Sequence, residues 1–177
     1  MTCPGRFHNV RHNRVCEVLV GYLKAAGLSV LSEPKHQFPS TSLRPDIKVY
    51  NWSEGRNAFL DVTIVDQLQL DVLPRTVAKP MHVLNRAEKI KKDKYEVVCK
   101  DQNAQFIPLA FSAFGGFGKS SNSFLSEVAY CLATIQQRPY SDIMSEIRHR
   151  ISSTIWSANM ETVLNGPNHR KLVYSAS

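Results

Sequence analysis

Two aspartates, Asp46 and Asp61, carry the chemistry most readily read from this chain. Asp46 follows Arg44-Pro45 and opens a strand-like run over 46–50, and Asp61 lies within a second such run over 59–65. Between the runs, residues 51–57 are rich in turn formers and contain Gly55. Two apolar runs around a Gly-containing polar loop predict a β-hairpin. The midpoint of 46 and 61 falls inside that loop, so the two carboxylates are expected within cross-strand reach of each other. Paired carboxylates at the mouth of a small sheet form a hard oxygen site for Mg²⁺ or Mn²⁺. Such a site suits phosphodiester hydrolysis, in which the metal activates water and steadies the leaving oxygen. The plainer alternative is two loop-end acids that cap turns.

The period of a strand refines the expectation. Asp61 and Thr63 share one face and Leu60, Val62 and Ile64 the other, so the apolar set faces the core and Asp61 with Thr63 faces a cleft. A basic helical stretch follows, Arg86 to Tyr95, in which Lys91 and Lys94 are three apart and share a helix face. Either lysine could reach a scissile phosphate from there. The competing reading is a solvated surface, because Glu88, Asp93 and Glu96 are interleaved. Tyr95 would pack beneath this helix or stack on a base. Glu17, in the middle of the first helical segment, could complete a metal shell or simply face solvent. Arg11-His12-Asn13 offers phosphate contacts or holds a helix start. His8, His12 and Cys3 have metal-ligand chemistry but supply no complete four-ligand zinc pattern, so no zinc site is expected.

These residues need elements to position them. Apolar residues at helical spacing over 10–26 predict a helix closed by Gly27, followed by a short strand over 28–33, a loop over 34–43 and the hairpin. The segment 66–80, between prolines 74 and 80, has no clear pattern. A helix is expected from about 78 to 94. A strand is expected over 105–111, with Pro108 placing it at an edge or a bulge. A helix over 123–136, capped by Ser or Asn, and another over 140–163 complete the reading. Residues 113–120, Ala-Phe-Gly-Gly-Phe-Gly-Lys-Ser, mimic a P-loop but lack its first glycine. A turn opening a helix is the better reading, with its free N–H groups and Lys119 available to a phosphate.

Composition sets the frame. The chain has 177 residues, 43% hydrophobic and 21% charged, and no internal repeat. It is read as one α/β domain over 1–177, with a core over about 8–136 and a C-terminal helix and polar tail over 140–177. A formal charge of +7 favours a polyanionic partner such as nucleic acid. Four scattered cysteines with no CxxC pair argue against a disulfide framework. With neither a signal-like start nor a membrane-length apolar run, a soluble intracellular protein is expected.

Taken in order, Arg11-His12-Asn13, Arg44-Pro45-Asp46, Asp61-Val62-Thr63 and Lys91-Lys92-Asp93-Lys94-Tyr95 resemble the restriction-like endonuclease domain of site-specific non-LTR retrotransposons. That family's signature is K/R-P-D, twelve to fourteen residues, then D or E, and the likeness covers roughly residues 3–118. The family belongs to the PD-(D/E)xK nuclease superfamily. The resemblance therefore implies a restriction-endonuclease-like mixed β-sheet flanked by helices, Mg²⁺- or Mn²⁺-dependent cleavage of DNA, and a nuclear location. Asp46 and Asp61 would bind metal, and Glu17 loosely matches an acid on the superfamily's first helix. Many such nucleases carry a lysine two residues after the second acid, where it offsets transition-state charge. Here that residue is Thr63, and Lys91 or Lys94 would replace it. Arg11, His12, Arg44, Lys92 and Lys119 would contact DNA. The zinc knuckle and reverse transcriptase that usually precede the domain are not among these residues. The resemblance thus implies a detached module, with Cys3 as the last ligand of a truncated knuckle. Two alternatives stand beside it, a non-catalytic nuclease-fold module that binds DNA and a branched-DNA resolvase.

Overall fold

The computed structural model describes residues 6–39, 41–67 and 80–165. Four strands form one mixed sheet in the order β1 (Val30–Ser32), β2 (Ile47–Ser53), β3 (Arg56–Val65), β4 (Gln105–Ser112). β1, β2 and β3 are antiparallel neighbours, and β4 joins β3 in parallel. Among the described residues four helices flank the sheet: α1 (Arg6–Ala25), α2 (Pro80–Lys100), α3 (Lys119–Gln136) and α4 (Tyr140–Asn165). The protein is therefore α/β with a mixed sheet, as expected from the sequence. The unpatterned segment expected over 66–80 and the polar tail lie largely outside the described residues, as do Cys3 and the side chain of His8.

The hairpin forms where it was expected but is tighter. Ile47 pairs with Leu60 and Val49 with Ala58, and the strands continue to a two-residue turn at Glu54 and Gly55. Both turn residues have positive φ, 51° and 73°, as the right-handed strand twist demands of a two-residue connection. Asn51, also at positive φ, lies where the register shifts, so the polar residues thought to be loop are instead a bulged strand.

The two faces of the sheet are covered differently. Leu60 and Val62 of β3, Ile47 and Val49 of β2, and Leu109 and Phe111 of β4 pack with α1, α3 and α4 in the main core. α4 belongs to that core through Ile143, Ile147, Ile151 and Ile155, so the core extends past the limit expected near residue 136. The opposite face, bearing Phe59, is covered by α2 through Tyr95 and Cys99, with Phe38 beside them. Burying both faces of β3 explains why its 58–62 stretch is buried throughout rather than alternating.

The helix ends follow their sequence signals in part. Gly27, at φ 78°, closes α1 while Leu28 N–H returns to the Leu23 carbonyl. Pro80 sits at the first position of α2, where its missing N–H costs nothing. Pro108 is on β4, an edge strand opposite Asp61, as the edge reading required. α3 begins at Lys119 instead of 123, and Gly118 precedes it without a side-chain cap of its own. Among the described residues no helix is long and apolar enough to cross a membrane.

Candidate active site

The hairpin brings Asp46 and Asp61 to the same end of the sheet. Asp46 N–H donates to the Leu60 carbonyl at 2.9 Å, continuing the ladder one residue before β2. Its Oδ2 accepts the Val62 N–H at 2.6 Å, which fixes the carboxylate beside β3. The same oxygen lies 3.1 Å from His12 Nε2 on α1. That contact, with a further one to Cys16, raises the His12 pKa to about 11, so the ring is an imidazolium at neutral pH.

Asp61 is only 4% exposed. Its Oδ2 forms an ion pair with Lys91 Nζ at 2.7 Å, and its Oδ1 lies 3.1 Å from the Tyr95 hydroxyl, which also reaches the Arg44 carbonyl at 2.8 Å. Burial pushes the Asp61 carboxyl upward; Lys91 and Tyr95 oppose that shift, and the neighbouring Asp46 charge adds to it. The two acids thus feel each other electrostatically while each holds a cation. Burial and the adjacent Asp61 push the Tyr95 hydroxyl up in turn, so it stays protonated and donates.

Of the two lysines suggested by the sequence, Lys91 reaches Asp61, and Lys94 is exposed on the outer side of α2. The helical repeat explains the division. Lys91 and Tyr95 are four residues apart and lie one above the other toward β3, and Lys94 is rotated away from that line. Tyr95 is buried, stacked on Phe106 at 4.4 Å between nearly parallel rings, so it supports the site from beneath and is not free to stack on a base.

Other expectations are redistributed. Glu17 is exposed and shares a pocket of about 340 Å³ with His12, Asn13, Cys16 and Asp46, but its carboxylate is not among the close groups. The α1 side chains aimed at Asp46 are His12 and Cys16, four apart on one face; together with Asp46 they place one ligand atom each within 4.8 Å of the others. Sequence reading missed Cys16, although its spacing from His12 on a helix was the available signal. Arg11 turns instead to Asn159 of α4 at 2.8 Å and is partly buried, which makes it an anchor between helices. Arg44 and Lys92 are exposed; Arg44 stands two residues before Asp46 at the rim of the site.

The turn at 115–118 does not present free N–H groups. Glu88 of α2, 6% exposed, accepts the N–H groups of Ser120 and Ser121 at 3.0 Å each, and the Ser121 hydroxyl at 3.0 Å. A carboxylate already satisfies the N-terminus of α3, so the expected phosphate cradle is filled from within the fold. Lys119 itself is exposed, with its backbone N–H on Asn85 Oδ1 at 3.3 Å.

The donor set suits a hard divalent ion. The two carboxylates stand at neighbouring strands and feel each other's charge, each balanced by a cationic side chain, and Thr63 Oγ1 is buried without a hydrogen-bond partner on the same strand face as Asp61. No protein-family model matches the chain, and a search of curated proteins finds no match.

Proposed function

We propose that the protein is a metal-dependent endonuclease acting on DNA, of the kind the sequence resemblance implies. The observation that carries this reading is the Lys91–Asp61 ion pair. The position at which many such nucleases place a lysine holds Thr63, and a lysine from α2 stands at the second acid instead. A buried carboxylate held by a buried tyrosine and a half-exposed lysine, beside a second carboxylate, is an expensive arrangement for stability alone. The net positive charge supports a polyanionic substrate.

In this reading Asp46 and Asp61 would hold Mg²⁺ or Mn²⁺, which when bound lowers the pKa of water and polarises a phosphoryl oxygen. The chain's own groups do the rest. The Val62 N–H fixes Asp46, and Tyr95 fixes Asp61. Lys91, 33% exposed at its side chain, offers a cation to a phosphate that approaches Asp61. Arg44, Lys92 and Lys94, all exposed, would grip the DNA backbone, so affinity should fall steeply with salt. A nuclear location would follow from this role.

The test is cleavage of supercoiled plasmid in Mg²⁺ or Mn²⁺ by the wild type, Asp46→Ala and Asp61→Ala. Nicking that disappears in both variants supports the reading. Folded wild type that binds DNA without cutting it would favour a non-catalytic module of the same fold. Preferential cutting of four-way junctions over plasmid would favour a branched-DNA resolvase.

A further inference from the structure

We infer that His12, Cys16 and Asp46 form a second kind of metal site, one that takes a borderline-soft divalent ion such as Zn²⁺. This goes beyond the proposed nuclease reading, which needs only oxygen ligands. His12 and Cys16 are successive turns of one face of α1, held in place because Val15 and Leu19 are buried in the main core. Asp46 meets them from the loop before β2.

The distances decide the chemistry. Tetrahedral zinc has bonds of about 2.0 Å to nitrogen and oxygen and about 2.3 Å to sulfur, which separates N from O by about 3.3 Å and S from N by about 3.5 Å. Here His12 Nε2 is 3.1 Å from Asp46 Oδ2 and 3.9 Å from Cys16 Sγ. Those two separations are within about half an ångström of the tetrahedral values, and the three ligand atoms all lie within 4.8 Å of one another, so closing on an ion needs only side-chain adjustment. The supporting contacts are already made. His12 Nδ1 lies 3.2 Å from Asn13 Oδ1, which leaves Nε2 as the ligand once the metal displaces its proton to solvent, and the Val62 N–H orients the carboxylate. The fourth corner opens into the pocket of about 340 Å³ that Glu17 and Glu33 also line. One thiolate, one imidazole and one carboxylate select zinc or cobalt over magnesium, whose ligands are oxygens.

Because Asp46 would serve both sites, zinc here should compete with magnesium or manganese for it. That consequence rests on the nuclease reading; the zinc binding itself does not. The experiment uses the metal-free full chain titrated with Co²⁺ and then Zn²⁺, followed by absorbance. We expect one Co²⁺ per chain, a near-ultraviolet thiolate-to-cobalt band, and loss of that band as Zn²⁺ displaces the cobalt. Cys16→Ser should remove the band and weaken binding at least about tenfold, and His12→Gln should weaken it comparably. Cys131→Ser, at an exposed cysteine, should leave both unchanged. A wild type with no thiolate band, a band that survives in Cys16→Ser, or cobalt binding by His12→Gln as tight as by wild type would overturn the site whether or not the protein cleaves DNA.

Discussion

Lys91 Nζ stands 2.7 Å from Asp61 Oδ2, joining a helix to the middle of a strand across thirty positions of sequence. This contact separates the two lysines that sequence alone left equivalent. If Lys91 offsets charge at the reacting phosphate, Lys91→Ala should lower the cleavage rate by about 10²–10³, the usual loss for one transition-state donor. Lys94→Ala should stay within a few-fold and mainly reduce the salt dependence of binding by about one phosphate contact. Single-turnover nicking rates and a salt titration of affinity measure both.

Asp61 is held at a cost. Its carboxyl pKa is raised by burial, so the ionised form destabilises the fold relative to the unfolded chain, increasingly so as pH rises through the interval above the ordinary aspartate value. Asp61→Asn removes that charge and keeps an oxygen for the Tyr95 hydroxyl. We expect the variant to melt higher than wild type at neutral pH in the absence of metal while losing all cleavage. A lower melting temperature would show that the Lys91 pair outweighs desolvation.

His12 gives the opposite handle. Its folded pKa, raised to about 11 chiefly by the hydrogen bond to Asp46, exceeds the ordinary histidine value of 6.5. The stabilisation is therefore fully present below about pH 6.5 and is lost as pH climbs toward about 11. In chelator-treated protein, thermal melts across that interval should fall more steeply for wild type than for His12→Gln. Parallel curves would show that the imidazolium contributes nothing to the fold.

The Glu88 cap should be structural. Glu88→Ala would leave two backbone N–H groups and the Ser121 hydroxyl without their carboxylate, at about 2–3 kcal/mol. That corresponds to a drop of very roughly 4–12 °C for a domain of this size. Gly118→Ala probes the same contact from the other side, since a Cβ there would meet Glu88 Oε1 at 2.1 Å; a loss of about 1–3 kcal/mol is expected. Melting curves of both variants test this, and a Lys119→Ala control should melt like wild type.

Much of this arrangement follows from local pattern. The period-two alternation after Asp46 and around Asp61, with Gly55 between, determined the hairpin and placed the acids at one end of it. Gly27 marked the end of α1 because it tolerates positive φ, and Pro108 marked an edge strand because it lacks an N–H, whereas the helix expected from about residue 78 starts at Pro80. Hydrophobic spacing likewise determined the helices, to within about a turn at their ends except for α2, which runs on to Lys100 where an end near residue 94 was expected.

What pattern could not decide is which side chains meet across elements. That Lys91 rather than Lys94 reaches Asp61 depends on how α2 is rotated over β3, and packing of Tyr95 and Cys99 against Phe59 sets that rotation. That Cys16 rather than Glu17 faces Asp46 depends on the rotation of α1, set by Val15 and Leu19 in the core. The N–H groups in the first turn of α3 looked free in sequence because their acceptor, Glu88, is more than thirty positions away. Local chemistry acts over a few residues, whereas these pairings arise only when buried apolar area on several elements fixes their mutual orientation, and that is a property of the tertiary structure alone.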